Sequence, residues 1–175
     1  TWTKTGSIAN VKLEYSTDGG TTYPGANLIA ASVNAATGTP FAWTIPDAIS
    51  TTVKVKATDV TDATVFDESN VTFTIRGSFT LTAPNGSEQW TVGTTQSVTW
   101  TTFGTIPNVK LEYSTDGGST FPNVITASSA NTGTYNWTVP NAIGATARVR
   151  VSNAADPGTL DTSNANFKIK AGFTV

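Results

Sequence analysis

The stretch Asn10–Gly20 reads NVKLEYSTDGG, and the same residues recur at Asn108–Gly118. In the second copy, Val109, Leu111 and Tyr113 alternate with polar residues, and this period of two predicts a β-strand with one buried face. The serine, aspartate and glycines that follow predict a tight turn, because an aspartate accepts turn N–H groups and glycine adopts positive φ. The repeated stretch therefore predicts a strand that ends in a structural turn.

Each turn continues to an aromatic residue, as STDGGTTY at Ser16–Tyr23 and as STDGGSTF at Ser114–Phe121. This spelling resembles the Asp-box, a hairpin-turn motif of sialidases and other secreted β proteins that lies away from their catalytic centres. The resemblance implies a role in folding, while contact with calcium or glycan and catalysis remain less favoured alternatives. The predicted turn residues are Ser16, Asp18, Gly20, Thr22, Ser114, Asp116, Gly118 and Thr120.

The internal similarity extends well beyond the turn. Trp2 aligns with Trp100 at an offset of 98 residues. WTIPDAI at 43–49 aligns with WTVPNAI at 137–143 at an offset of 94 residues. Self-similarity over such a length indicates a tandem-repeat architecture in which each repeat is one domain.

Three segments follow from this alignment: a first repeat at 1–77, a complete repeat at 78–171, and the first strand of a following repeat at 172–175. The first repeat has no counterpart of Ser78–Val98, so we expect it to lack its N-terminal strands and to expose a sheet edge and an open core. The chain is expected to be a slice of a longer array. The alternative is a subunit whose trailing segment completes the leading repeat of the next subunit.

Turn residues divide the complete repeat into short strands, and no helical period is present. The predicted strands lie at 78–83, 88–91, 96–102, 108–114, 121–127, 133–139, 146–152 and 164–170. Strands at a spacing of about ten residues predict an all-β fold of tandem immunoglobulin-like or fibronectin type III-like β-sandwiches. The chain has no cysteine, so these sandwiches lack an inter-sheet disulfide.

The composition excludes several classes of chemistry. Without cysteine or histidine, the chain cannot form disulfides, thiolate zinc sites, cysteine nucleophiles or histidine-based triads. Charged residues make up 13% of the chain, against roughly 25% in ordinary soluble domains, and the net charge is −2. A polar, weakly charged surface favours an extracellular or cell-surface protein, and it gives no basic character for nucleic acid. The sequence contains no hydrophobic run that predicts membrane insertion.

Longer stretches of the complete repeat carry a family resemblance. They are LTAPNGSEQWTVGTTQSVTW at 81–100, NVKLEYSTDGGSTF at 108–121 and YNWTVPNAIGATARVRVSN at 135–153. Together they resemble the tandem immunoglobulin-like repeats of large bacterial surface proteins, which are related to the fungal Ser-Thr-rich, cell-wall glucan-synthesis surface family. The resemblance implies an extracellular spacer, adhesin or fibre module with no catalytic residues.

Tryptophans are the first candidates for a binding surface, because their rings can stack on sugars. Trp100 and Trp137 lie in register with apolar strand residues, so we expect them, and their equivalents Trp2 and Trp43, to belong to the core. Trp90, beside a turn, is left open as a surface aromatic. A carbohydrate-binding module attached to a secreted enzyme would depend on Trp90.

Acidic residues of the first repeat are candidate calcium ligands, because calcium takes six to eight oxygens. They are Asp59, Asp62, Asp67 and Glu68. The second repeat has Asn153 and Thr162 at two of these positions, so a solvated loop is favoured over a calcium site. No other cofactor is expected. Any chemistry would have to use carboxylates, lysine or tyrosine. An enzyme built on carboxylates would depend on Asp67 or Asp161, and nothing in the sequence indicates a pocket between two carboxylates.

Basic residues of the complete repeat alternate with apolar ones on three strands that are neighbours in an immunoglobulin-like sheet. They are Lys110, Arg148, Arg150, Lys168 and Lys170. The favoured interpretation is a solvated sheet face on which Glu112 pairs with an arginine of the next strand. The alternative is a docking face for acidic loops of a neighbouring chain or for an anionic surface polymer.

These observations predict a non-catalytic structural module of an extracellular or cell-surface tandem-repeat protein that forms a stalk, adhesin or filament. The expected partners are other copies or repeats of the same protein in a linear fibre, and cell-surface glycan is the second candidate.

Overall fold

The computed structural model describes residues 1–36 and 40–173. The chain divides into two compact units, Thr1–Arg76 and Gly77–Val175. Both are built from β-strands, and the single 3-10 helix among the described residues is Gly25–Asn27. At the predicted trailing strand, Gly172 and Phe173 belong to no strand, and Thr174 and Val175 lie outside the described residues.

The first unit contains one antiparallel sheet. Its strands are β1 (Asn10–Ser16), β2 (Leu28–Asn34), β3 (Ser50–Asp59), β4 (Phe66–Glu68) and β5 (Phe73–Ile75). The strand order is β2-β1-β3-β4, and β5 pairs with the first half of β3. Two small clusters of buried side chains lie on this sheet, one around Val11 and Leu13 and the other around Tyr15, Val53 and Ile75.

The second unit contains two sheets. Its strands are β6 (Ser78–Ala83), β7 (Gln89–Thr91), β8 (Thr95–Phe103), β9 (Asn108–Ser114), β10 (Asn123–Ala130), β11 (Thr134–Thr138), β12 (Gly144–Asn153), β13 (Leu160–Thr162) and β14 (Phe167–Lys170). One sheet has the order β10-β9-β12-β14-β7 with β13 paired to β12, and the other has the order β11-β8-β6. Two sheets of this kind around one core form an immunoglobulin-like sandwich.

The core of the second unit is continuous. Val109 and Leu111 of β9, Val149 of β12 and Ile169 of β14 contribute fully buried side chains to the same cluster as Trp100 of β8. The alternation that predicted these strands places every second side chain in this cluster. The predicted fold class, all-β tandem immunoglobulin-like or fibronectin type III-like sandwiches, is confirmed.

Each predicted strand of the complete repeat is present, with ends shifted by a few residues. One strand was not predicted: β13, whose three residues pair with Arg150–Ser152 of β12. A strand of this length shows too little periodicity to be recognised, and only its pairing partner defines it.

The sequence left open whether Trp90 is a surface aromatic, and the structure places it in the core. Trp90 is 8% exposed and belongs to the core, because β7 pairs in parallel with β14 and places Trp90 opposite Ile169. Trp100 and Trp137 are buried. Their equivalents in the first unit, Trp2 and Trp43, are only partly buried, because the first unit has no second sheet among its described residues to cover them.

Candidate functional site

Ser114 organises the turn that follows β9. Its fully buried hydroxyl accepts the backbone N–H of Asp116 at 3.1 Å and of Gly118 at 2.9 Å. The same hydroxyl donates to Oδ1 of Asp116 at 2.6 Å. Gly118 has φ of +89°, a region that residues with a Cβ rarely adopt. One buried side chain thus closes the turn from inside.

Asp116 closes the same turn from outside. Its Oδ1 accepts the backbone N–H of Thr120 at 3.0 Å, and its Oδ2 accepts the hydroxyl of Thr120 at 2.6 Å. The hydrogen bond from Ser114, followed by those from Thr120, holds the pKa of the Asp116 carboxyl well below its usual range. These bonds engage both carboxylate oxygens, which supports a structural role for this aspartate.

The first unit repeats this arrangement after β1. Ser16 donates to Asp18 at 2.5 Å and accepts the N–H of Gly20 at 2.9 Å. Thr22 donates its N–H and its hydroxyl to Asp18 at 2.9 and 2.6 Å. The hydrogen bond from Ser16, with those from Thr22, lowers the pKa of Asp18 to about 2. Corresponding hydrogen-bond distances in the two turns agree within about a tenth of an ångström, so the two turns have the same geometry.

The candidate calcium ligands do not converge on one point, and Asp59 and Asp62 each accept hydrogen bonds from a nearby threonine. Asp59 accepts the N–H and hydroxyl of Thr61, both at 2.8 Å. Asp62 accepts the N–H and hydroxyl of Thr64 at 2.9 and 2.6 Å, and the hydroxyl bond lowers its pKa.

The other two candidate ligands lie on β4. Glu68 pairs with Lys54 at 3.5 Å, and the exposed Asp67 lies opposite Ala57 of β3. Within residues 1–36 and 40–173, no three acidic side chains form a group that could hold a metal ion.

The basic residues lie on three neighbouring strands, β9, β12 and β14. Glu112 pairs with Arg150 at 2.7 Å and with Lys110 at 2.6 Å. Burial would raise the pKa of Glu112, but the hydrogen bonds from Lys110 and Arg150 outweigh it and the pKa is lowered. Arg150 also lies over the Phe121 ring, 4.3 Å from its centroid. The cross-strand ion pair expected from the sequence is present.

The other basic side chains of this sheet differ in their hydrogen bonds and in their exposure to solvent. Arg148 donates from Nε to Asn166 at 2.7 Å and from Nη1 to the carbonyl of Ser163 at 3.3 Å. Lys168 is exposed, and Lys170 is partly buried. The five residues therefore share a sheet, while the three on β9 and β12 already have partners within the chain.

The most distinctive surface of the first unit is a group of exposed apolar side chains, from β5 and from the segment 40–46. Ile45 is 50% exposed, whereas its equivalent Val139 is 1% exposed. Phe73 is 37% exposed, whereas its equivalent Phe167 is 1% exposed. The two units have apolar residues at the same positions, so the difference comes from what covers them. We refer to the surface formed by Trp43, Ile45 and Phe73 as the open face.

Aromatic packing differs at the centre of this face. The contact of Tyr15 with Trp43, at 5.3 Å and 41°, matches that of Tyr113 with Trp137, at 5.1 Å and 43°. In the second unit, Trp90 packs on both Trp137 at 6.0 Å and Phe167 at 5.0 Å. In the first unit, Trp43 and Phe73 contact each other edge to face at 6.5 Å. No third ring packs between them among the described residues of this unit, whereas Trp90 contacts both equivalent rings in the second unit.

Two polar residues, whose structural roles the sequence did not predict, fix β6 and its following turn in the second unit. Asp161 of β13 accepts the backbone N–H of Leu81 at 2.7 Å. The Ser163 hydroxyl donates to the carbonyl of Pro84 at 2.7 Å. The alignment of Ser163 with Ser69 was a signal in the sequence, but its meaning depends on a partner about eighty residues away, which only the structure supplies.

No family model matches the chain, and no match is found among curated proteins. Among solved structures, the chain is similar to the fibronectin(III)-like modules of Clostridium thermocellum CbhA, with 19% identity, a TM-score of 0.38, and coverage of 98% of this chain and 83% of that chain. It is also similar to a chimeric titin Z1Z2-Z1Z2 tandem carrying a GRGDS peptide from fibronectin, with 20% identity, a TM-score of 0.33, and coverage of 95% and 87%.

Helices long and apolar enough to cross a membrane are absent from the described part of the chain.

Proposed function

We propose that the chain is a non-catalytic structural module of an extracellular or cell-surface tandem-repeat protein, in which successive sandwiches form a stalk, adhesin or filament. The observation that carries this proposal is the duplicated turn. Ser16 with Asp18 and Ser114 with Asp116 form the same hydrogen-bond network in two units of one chain. Repetition of a whole folding unit builds length, which is the property that a spacer or fibre requires.

The use of the acidic side chains supports a structural role. In the second unit, Glu112 neutralises Arg150, Glu88 accepts the N–H groups of Asn85 and Gly86 at 2.8 Å, and Asp161 accepts the N–H of Leu81. A carboxylate pair for acid–base chemistry needs two such groups facing one cavity. These carboxylates instead hold the backbone or a basic side chain.

The carbohydrate-binding alternative depended on Trp90. That ring is packed between Trp137 and Phe167, so it cannot stack on a sugar without opening the core. We therefore retain the structural module as the proposed function. The weakly charged polar surface supports the extracellular setting, which surface labelling of source cells with an antibody to the chain would test.

Single-molecule stretching of the full chain between its termini tests the mechanical role. The second unit is expected to unfold in one discrete event that releases roughly 300 Å, since an extended residue spans about 3.3–3.6 Å. A parallel screen on polysaccharides and peptides is expected to show no turnover. Gradual extension without a discrete event, or turnover by the intact chain, would contradict the proposal.

A further inference from the structure

We propose that one sheet face of the second unit binds a loop from the first unit of another copy of this chain. The sheet face is the outer side of β9, β12 and β14, which we call the basic face; it carries Lys110, Arg148, Arg150, Lys168 and Lys170. The loop joins β3 to β4, and we call residues 59–66 the acidic loop. This inference rests on the proposed function, because it names a contact through which copies of a structural module assemble into a filament.

Charge is unevenly distributed over the second unit. All five of its basic residues lie on the basic face, and Glu112 is the one acidic residue in β9, β12 and β14. Five positive charges and one negative charge give this face a net charge of +4. The whole chain has a net charge of −2, so the residues outside the face carry −6. A face of one sign attracts a partner of the opposite sign, and the chain itself supplies such a partner.

Lys168 and Lys170 are the cations of the basic face that remain available. On β14 they alternate with Phe167 and Ile169, which are buried in the core, so both lysines point away from the core. Within residues 1–36 and 40–173, neither lysine forms an ion pair, whereas the cations of β9 and β12 have the partners described above. An unpaired ammonium on a face of net positive charge is stabilised by an anionic partner.

Exposed apolar side chains flank these charges. Val124 lies opposite Glu112 on the same face of the sheet and is 54% exposed. Leu160 lies opposite Ser152 of β12 and is 45% exposed. A partner that covers these side chains removes apolar surface from water, which adds to the attraction between charges.

The acidic loop holds two carboxylates with one oxygen free. Oδ1 of Asp59 accepts both the N–H and the hydroxyl of Thr61, and Oδ1 of Asp62 accepts both groups of Thr64. Oδ2 of each aspartate accepts no hydrogen bond from the part of the chain that the structure describes. Asp116, by contrast, uses both of its carboxylate oxygens within its own turn. The two loop aspartates are therefore held in place and can each accept a lysine ammonium.

The acidic loop also carries exposed apolar side chains. Val60 is 49% exposed and Phe66 is 57% exposed. Their equivalents in the second unit, Ala154 and Leu160, are exposed as well, although that unit has both sheets of the sandwich. These positions therefore belong to the surface of a complete sandwich. The acidic loop and the basic face match in kind, because each combines charge of one sign with exposed apolar area.

The equivalent sheet of the first unit does not form a second basic face. Its three lysines are paired with glutamates: Lys12 and Lys56 with Glu14, and Lys54 with Glu68. Each copy therefore has one acidic loop, on its first unit, and one basic face, on its second. A contact between two different surfaces joins copies head to tail, and such a contact repeats into a filament or closes into a ring.

Sedimentation velocity of the full 175-residue chain tests the contact. At about 0.01 M salt, the mean sedimentation coefficient is expected to rise with protein concentration, because charges then interact over about 30 Å. At about 0.5 M salt, the chain is expected to sediment as a monomer, because the screening length falls well below 10 Å. A monomer at every concentration in low salt would overturn the proposal, as would association that salt leaves unchanged.

Charge-reversal variants locate the contact. Lys168→Glu and Asp62→Lys are each expected to weaken association in low salt at least about tenfold, because like charges then face each other. An equimolar mixture of the two variants is expected to associate again, because the acidic loop of one meets the basic face of the other.

Lys4→Glu is the matched control for the variant of the basic face. It changes the net charge by the same amount as Lys168→Glu, and Lys4 lies outside both surfaces, where it donates to the carbonyl of Ile8. Circular dichroism checks that all variants are folded. Equal association of the Lys4 and Lys168 variants contradicts the assignment of the basic face, and so does a mixture of folded variants that stays monomeric.

Carbodiimide cross-linking identifies the residues in contact, because it joins a carboxylate directly to a lysine amine. In a mixture of unlabelled and isotope-labelled chains, we expect mixed-label peptides that join Asp59 or Asp62 to Lys168 or Lys170. Cross-links found only within one chain would refute a contact between copies. A chain that stays monomeric and binds dextran sulfate through Lys168 would assign the basic face to an anionic polymer instead. Failure of these experiments leaves the proposed function intact, since that function fails on turnover or on the absence of a discrete unfolding event.

Discussion

Trp90 packs against Phe167 with ring centroids 5.0 Å apart, and this contact joins the short strand β7 to the last strand of the second unit. Both side chains are almost fully buried. A strand of three residues forms few backbone hydrogen bonds, so its position in the sheet depends on this ring. The contact is therefore expected to matter for the stability of the whole second unit.

Replacing Trp90 by alanine should lower the free energy of unfolding of the second unit by about 3–5 kcal/mol, as for other large buried aromatics. That is a large part of a total stability of about 5–15 kcal/mol. Urea unfolding followed by circular dichroism measures it. Phe103→Ala is the control, because Phe103 is 75% exposed and its loss should change the midpoint little. Equal midpoints for the two variants would contradict the placement of Trp90.

Iodide quenching of tryptophan fluorescence should separate the five indoles into two groups. Trp90, Trp100 and Trp137 are at most 8% exposed and should be shielded, whereas the partly buried Trp2 and Trp43 should be quenched. Single Trp→Phe variants assign the signals. Ready quenching of Trp137 in the folded chain would show that the core of the second unit is open to solvent.

Ser114→Ala should destabilise the second unit by about 1–3 kcal/mol, because it removes the acceptor of two turn N–H groups at a buried position. Asp116→Ala should also lower the unfolding midpoint, without affecting any ligand binding. Ser119→Ala is the control, since its exposed hydroxyl donates only to the carbonyl of Asp116. Loss of a binding activity in the Asp116 variant at an unchanged midpoint would overturn the structural interpretation of the turn.

Acid should weaken the first turn in a defined pH window. The pKa of Asp18 is lowered in the folded chain from its ordinary value of 3.8 to about 2, first by the hydrogen bond from Ser16 and then by those from Thr22. A lowered folded-state pKa means that the contribution is complete above pH 3.8 and is lost as the pH falls through about 2. Urea unfolding at pH 7, 4 and 2 measures it, and Asp18→Asn should flatten the dependence. An unchanged slope in that variant would assign the acid sensitivity to other groups.

Local patterns made much of the fold predictable. The alternation in Asn108–Ser114 identified β9, and the serine, aspartate and glycine spacing identified its turn, because these features act between neighbours in sequence. The positions of Trp90 and Asp161 were not predictable in this way. Trp90 depends on β14 for its burial, and Asp161 depends on Leu81, so neither carries a local signal.

The candidate site was predictable in outline and not in detail. The repeat alignment predicted an open core in the first unit, but it also predicted that Trp2 and Trp43 belong to the core. These two expectations conflict in the first unit. A side chain at a core position is buried only when both sheets of the sandwich cover it, and Trp2 and Trp43 are therefore only partly buried. The contacts of Asp161 with Leu81 and of Ser163 with Pro84 became visible only in the structure of the second unit.

Strands β1 and β9 have the same sequence, NVKLEYS, so a difference in amide protection between them reports their surroundings alone. Amide hydrogen exchange by NMR on the full chain is the most direct test of the account. We predict faster exchange in Asn10–Ser16 than in Asn108–Ser114, and convergence of the two when the Ser78–Val98 sequence is fused ahead of Thr1 through a flexible linker. Equal protection of the two strands without the fused segment would contradict the account.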